Sequence, residues 1–431
     1  MKKDIIKEII KDFHQAPLPR FMRRHLNVPL GTGKIITITG VRRSGKTHYF
    51  FQLMKDLLDK TPKKEYLIYI NFEDERFDFK SEELDLILQS YRELYPQVNL
   101  EKVHFFFDEI QNVDGWDRFV RRIHETVGKN IYITGSNSKL LSKEISTSLR
   151  GRGLSYEMFP LNFKEYLEFN HIEADYFSSG NRAAVRNCFH RFLRHGGFPE
   201  LVAIDETLYD KILQEYYNTM LFKDLVERYE IKQVHVLKYF LKRLFASITK
   251  DVSVNKIYNE LKSQGIKTGK NLLYEFLEAV EDIYLMTILQ KYDASIVKQA
   301  LSEKKIYCID NGLINAVTFR FSKDMGKLLE NLIGIELLKK GKKTFFYRGK
   351  VECDFITVEK DAVNMAIQVS LSLADPSTRE REIKGLLAAC KTFGLARGFI
   401  ITDDDEDVFV EDNIEITVIP AFKFLLDTLA G

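Results

Sequence analysis

Gly40-Val-Arg-Arg-Ser-Gly-Lys-Thr47 is the stretch that decides the fold. It fits G-x-x-x-x-G-K-[ST], a glycine-bounded turn whose backbone N–H groups point at phosphate oxygens. In that pattern the Lys46 ammonium bridges the β- and γ-phosphates, and the Thr47 hydroxyl takes Mg2+. The context suits the mechanism. A β-branched run, Ile35–Thr39, precedes the turn, and an amphipathic stretch, Thr47–Leu58, follows it, so a helix N-terminus adds its positive end to the site. The candidate nucleotide-binding residues are therefore Gly40, Arg42, Arg43, Ser44, Gly45, Lys46, Thr47 and His48. One of Arg42 and Arg43 reads as a phosphate contact and the other as a solvated side chain.

Working outward, further short apolar runs alternate with helical stretches: Tyr66–Phe72, Val103–Phe107, Ile131–Thr134 and Ser155–Phe159, with Trp116–Val127 among the helices. Buried strands separated by helices predict an α/β fold with a parallel sheet. The run Val103–Phe107 ends in Asp108-Glu109. At the edge of such a sheet Asp108 is the candidate Mg2+ ligand and Glu109 the candidate base for an attacking water. The next run leads into Gly135-Ser136-Asn137, where Ser136 or Asn137 is placed to sense the γ-phosphate. Leu149-Arg150-Gly-Arg152 supplies two candidate arginine fingers, in cis or toward a neighbouring subunit. The cofactors expected are ATP and Mg2+.

Bulk properties agree with a multidomain globular chain. The 431 residues exceed what one ordinary core holds, and 64 Lys and Arg against 62 Asp and Glu leave a net charge of only +2. Any nucleic-acid surface must then be a local patch. Cys188, Cys308, Cys353 and Cys390 are too scattered for a zinc site or a disulfide framework. The first residues alternate charge with apolar groups, and no run is long enough to span a bilayer, so no membrane role and a cytoplasmic address are expected.

Residues 161–250 are mostly helical, broken at Gly196-Gly197-Phe198-Pro199. Helix, turn at Gly265, helix (Asn271–Tyr284) and two strands, Met286–Lys291 and Lys305–Ile309, have the order of a winged helix. Beyond them a helix (Met325–Lys340), strands near Thr344–Tyr347, Glu352–Thr357 and Asn364–Val369, a helix (Thr378–Phe393) and a strand (Gly398–Thr402) make a third α/β segment. The acidic cluster Asp403–Asp407 reads as a solvated loop.

Taken in order, the phosphate loop, Phe-Phe-Asp-Glu-Ile-Gln (106–111), Ile-Thr-Gly-Ser-Asn-Ser (133–138), Leu-Arg-Gly-Arg (149–152) and Gly-Gly-Phe-Pro-Glu (196–200) resemble the prokaryotic AAA-type ATPases that carry a C-terminal nuclease-like domain. The resemblance implies a P-loop NTPase core, a winged helix and a small restriction-endonuclease-like (PD-(D/E)xK) domain. The expected divisions are 1–30 (helix and linker), 31–165 (ATPase core), 166–250 (helical, lid-like), 251–310 (winged helix) and 311–431 (nuclease-like). A working nuclease of that fold needs a helix acid, offered by Glu330 and Glu336, a strand Asp, offered by Asp354, and Glu-x-Lys on the next strand. Here that strand carries Gln368 and Ser370, so cleavage is not expected. The winged-helix candidate for the DNA groove carries Glu275, Glu278, Glu281 and Asp282, which repel phosphate, with only Lys262, Lys267 and Lys270 favourable. The expected partners are DNA or a protein, with homo-oligomerisation open. The basic runs Arg20–Arg24 and Lys339–Lys343 read equally as patches or as solvated helix ends.

Overall fold

A computed structural model of the chain describes residues 2–76, 79–136, 149, 151–318 and 325–427. The chain forms two compact units, residues 1–159 with 282–284, and residues 160–281 with 285–431.

The first unit is built on five strands, β1 (Ile35–Thr39), β2 (Leu67–Asn71), β3 (His104–Asp108), β4 (Asn130–Gly135) and β5 (Gly153–Glu157). They run parallel in the order β2-β3-β4-β1-β5. Alternate side chains feed two separate cores, as a pleated strand requires. Phe105, Phe107, Ile131 and Ile133 face a cluster with helices α1 (Lys2–Gln15), α3 (Asp85–Leu94) and α4 (Trp116–Thr126). Phe106, Tyr132, Ile36 and Ile38 face the other, with Tyr49, Phe50 and Met54 of α2 (Lys46–Lys60). This is the layered parallel sheet of a P-loop NTPase. The N-terminal helix buries Ile6 and Ile10 completely in the first of these cores.

The second unit opens with α5 (Phe163–Phe169), α6 (Ser179–His195), α7 (Tyr209–Thr219), a π-helical stretch (Met220–Glu227), α8 (Val234–Ala246), α9 (Val254–Ser263) and α10 (Lys270–Asp282). A short antiparallel pair follows, β6 (Met286–Gln290) with β7 (Lys304–Cys308), joined through α11 (Ile296–Leu301). After α12 (Asn311–Val317) and α13 (Met325–Lys339) come β8 (Lys343–Arg348), β9 (Glu352–Glu359), β10 (Ala362–Val369), α14 (Pro376–Phe393), β11 (Arg397–Thr402), β12 (Asp407–Glu411), β13 (Ile414–Pro420) and α15 (Ala421–Leu426). The strands form one mixed sheet, β12-β13-β11-β10-β9-β8.

Gly196 and Gly197 earn their place through close approach. Gly196 has φ +76°, and a Cβ there would lie 1.7 Å from Asp310 Oδ1. The Gly197 N–H donates to Asp310 Oδ2 at 2.7 Å, and a Cβ on Gly197 would lie 2.5 Å from the Leu161 carbonyl. Asn311 continues the network, its amide donating to the Leu193 and Leu328 carbonyls at 2.9 Å each.

The acidic loop is not a merely solvated one. Asp403 pairs with His190 (3.1 Å), Asp404 with Arg186 (2.6 Å), and Asp405 Oδ2 accepts the Leu373 N–H (2.6 Å). Partners distant in sequence caused the misreading.

Candidate functional site

Gly45 opens α2 from a left-handed conformation (φ 96°), and at Gly40 an added Cβ would lie 2.0 Å from the Met158 carbonyl. Side chains at either position would distort the turn, so the two glycines are fixed by geometry. Between them Arg43 also has positive φ (67°) and an exposed side chain, whereas Arg42 ion-pairs with Glu73 at 2.9 Å. A further arginine, Arg24, clamps the turn from behind: its guanidinium donates to the Ser44 carbonyl at 2.6 Å and the Phe159 carbonyl at 2.8 Å. Arg24 is 9% exposed, so this member of the basic run is neither patch nor solvated helix end.

Inside the turn Lys46 is buried, and its ammonium donates to the Gly40 and Val41 carbonyls at 3.0 and 3.1 Å. The Thr47 hydroxyl hydrogen-bonds the Asp108 carboxyl. His48 stands on the exposed side of α2, edge-on to Phe51.

Because β4 lies between β1 and β3, the ends of all three strands converge on this turn. The pairing of Phe107 with Ile133 brings Thr134 beside Asp108. Its hydroxyl donates to Asp108 Oδ1 and accepts the Glu109 N–H at 2.9 Å. Tyr69 donates to Asp108 Oδ2 at 3.1 Å. Glu109 itself has φ +50°, a conformation a side-chain-bearing residue adopts only under constraint. Its carboxylate is bonded by the Gln111 amide, accepts the Ser136 N–H at 3.2 Å, and lies 3.8 Å from Lys46 Nζ.

The two acids are tuned apart. Burial, and then the neighbouring Glu109 charge, push Asp108 up to about 6, although three hydroxyl hydrogen bonds oppose the shift. Burial also raises Glu109, but Lys46, Gln111 and Arg42 outweigh it and leave the group below the usual carboxylate range. One carboxyl is thus poised near neutrality and the other held ionised.

The residues fit a nucleotide with its metal. The Ser44 and Ser136 hydroxyls and the Gln111 amide oxygen are buried with no hydrogen-bond partner among the described residues, an unusual concentration of unsatisfied polar atoms around one turn. Thr47 and Asp108 offer the hard oxygen donors that Mg2+ prefers.

Thr134, Tyr69, Gln111 and Arg24 were not singled out from the sequence. Thr134 was readable in principle, as a hydroxyl at the tip of a strand next to the acid-bearing one. Asn137 and Arg150 lie outside the described residues. Arg152 does not reach the turn. It stands where β1 and β5 begin, its carbonyl accepting the Ile35 N–H, and its guanidinium pairs with Glu125 at 2.6 Å. Five residues of strand at about 3.3 Å each separate it from Gly40, so as a finger in cis it is ruled out by position.

Comparison with known proteins places this site in a domain context. Residues 32–167 match an AAA domain, and residues 186–324 and 325–422 match two different domains of unknown function. An uncharacterised protein of Methanocaldococcus jannaschii is 38% identical, the match covering 99% of this chain and 96% of that protein. An uncharacterised Haemophilus influenzae protein is 30% identical over 80% of this chain and 84% of its own. Among solved structures, AMPPCP-bound DnaA from Aquifex aeolicus (14% identity, 64% of this chain and 86% of that one, TM-score 0.27) and Aeropyrum pernix ORC1 in complex with DNA (11%, 73% and 91%, TM-score 0.29) give likenesses too low to bear on function. Among the described residues no helix is long and apolar enough to cross a membrane.

Proposed function

The chain belongs to the family of these archaeal and bacterial proteins, with an AAA domain at residues 32–167, and on that premise we propose that it binds and hydrolyses ATP and passes the resulting change to a partner held by its C-terminal half. The observation that carries the reading is the Thr134 hydroxyl, which joins Asp108 to the backbone of Glu109 beside the phosphate turn. A binder without turnover has no use for a strained, ionised carboxylate held at that point.

In this reading the loop N–H groups cradle the phosphates, and Lys46 leaves the loop carbonyls to bridge the β- and γ-oxygens. Thr47 and Asp108 would hold Mg2+, which would supply charge neutralisation for the phosphates. Glu109 accepts a proton from the attacking water, and Ser136 or Asn137 reports on the γ-phosphate. One of Arg42, which pairs with Glu73, and Arg43, which is exposed at the turn, contacts phosphate. Arg150 serves as the finger in cis or toward a neighbouring copy, and Arg152, paired with Glu125 at the far end of the strands, would serve only the site of a neighbouring copy.

For the partner, the exposed Glu275 and Glu278 on α10 favour a protein over DNA. The α9–α10–β6–β7 order remains the basis for reading this region as a winged helix, and the mixed sheet that for reading 311–431 as nuclease-like. The test is phosphate release from ATP and Mg2+ by the whole chain, alone, with duplex DNA, and after Lys46→Ala. Release that Lys46→Ala abolishes supports the proposal; equal release by both chains contradicts it. Stimulation by DNA would shift the partner reading to nucleic acid.

A further inference from the structure

The C-terminal acids offered as metal ligands do come together, but around an ammonium. Lys305, on β7, is 3% exposed. Its Nζ lies 2.5 Å from Glu352 Oε1, 3.3 Å from Glu330 Oε1 and 3.7 Å from Asp354 Oδ1. Sequence reasoning had the cation removed along with the lysine that Ser370 replaces; instead a cation arrives from a strand about 65 residues upstream, close only in the fold.

The second oxygens of Glu352 and Asp354 are also occupied: Arg348 Nε donates to Glu352 Oε2 at 2.6 Å, and the Val369 N–H donates to Asp354 Oδ2 at 3.0 Å. The Tyr307 hydroxyl donates at 2.9 Å to Glu330 Oε1, the same oxygen that faces Lys305. Gln368, at the position of the missing carboxylate, accepts the Asp354 N–H at 3.2 Å and gives its amide to Glu382. Glu336, the other helix acid, lies 4.0 Å from Lys339 on its own helix and not with this group. Among the described residues no three carboxylate, imidazole or thiol groups converge as metal ligands do. Arg348 further binds Asp251 and Glu303, so the periphery is balanced as well.

Buried charge is tolerated where opposite charges and hydrogen bonds surround it, and removing one member leaves the others uncompensated. A divalent ion entering here would have to expel Lys305 from its carboxylates or lie against a like charge. We infer that Lys305 is the built-in cation of this cluster, holding β7, α13 and β9 together in the place a divalent metal would take, so that the domain binds neither Mg2+ nor Mn2+ there. Burial raises Asp354 and Glu330 above their usual range, which further disfavours a metal. The inference stands whether or not the first unit hydrolyses ATP.

The experiment is Mn2+ binding to the nucleotide-free whole chain, followed by electron paramagnetic resonance of the free ion. The native chain and Asp354→Asn should bind the same number of Mn2+ ions, any ion at the phosphate turn being common to both. A site present in the native chain and lost in Asp354→Asn overturns the inference. Lys305→Met provides the second arm: folded, it should gain an Mn2+ site that the added Asp354→Asn change abolishes. A folded Lys305→Met chain with no such gain also overturns it. Should that variant not fold, the first comparison decides alone.

Discussion

Lys46 Nζ lies 3.8 Å from Glu109 Oε1, the ammonium of the phosphate turn beside the carboxylate proposed to activate water. The pair links binding to chemistry, because a lysine drawn out to phosphate would leave Glu109 with one fewer positive neighbour and greater basicity. Lys46→Met should therefore act at both steps. Losing a charge-assisted hydrogen bond is worth roughly 1.5–3 kcal/mol, or about 10- to 100-fold in ATP affinity. Titration with a fluorescent ATP analogue measures it, and unchanged affinity would remove Lys46 from the site.

Thr134→Val keeps the shape of the strand tip while removing both hydrogen bonds that tie Asp108 to Glu109. Phosphate release should fall about 10- to 100-fold, consistent with one misplaced catalytic group, and Thr134→Ser should restore most of it. Equal loss in both variants would contradict the assignment, because Thr134→Ser keeps the hydroxyl.

Acid should weaken the metal before it weakens the nucleotide. Asp108 is raised to about 6, so its proton is held more tightly in the fold than in the unfolded chain, and the carboxylate that takes Mg2+ dominates only above that pH. The Mg2+ concentration for half-maximal turnover should rise as pH falls through about 6 and stay flat above about 7. A profile flat across this window would show that Asp108 is not the group being titrated.

In the second unit, Gly197→Ala places a methyl 2.5 Å from the Leu161 carbonyl and 2.9 Å from Phe192. Overpacking of this kind costs about 1–3 kcal/mol, and Gly196→Ala should cost more because positive φ is added to the clash with Asp310. Thermal unfolding of the two variants measures the order, which fails if Gly197→Ala is the more damaged.

The parts of this molecule legible in the sequence are those whose cause is local. A glycine-bounded turn announces itself, and the strands from Ile35 to Glu157 follow from short β-branched and aromatic runs, β1 at the same bounds and the other four with their ends misplaced by one or two residues. The strand Ile414–Pro420 and its partner Asp407–Glu411 were passed over, the latter because its acids read as loop. What could not be read was whatever depends on register or on distant partners. Thr134 matters because β4 pairs beside β3, Arg24 because it folds back under Ser44, and Lys305 because β7 lies against β9. Arg152 misled for the same reason: its spacing from the sheet is plain, but the parallel pairing of Ile35 with Gly153 sends it to the wrong end.

Single-turnover hydrolysis by the native chain and by Glu109→Gln, with bound ATP measured in the same samples, tests the central claim most directly. The native chain should convert bound ATP to ADP and phosphate, and Glu109→Gln should bind ATP as well while losing about 10²- to 10⁴-fold in rate, the usual worth of a positioned base. A native chain that holds ATP without converting it, or a Glu109→Gln chain as fast as the native one, would contradict the account.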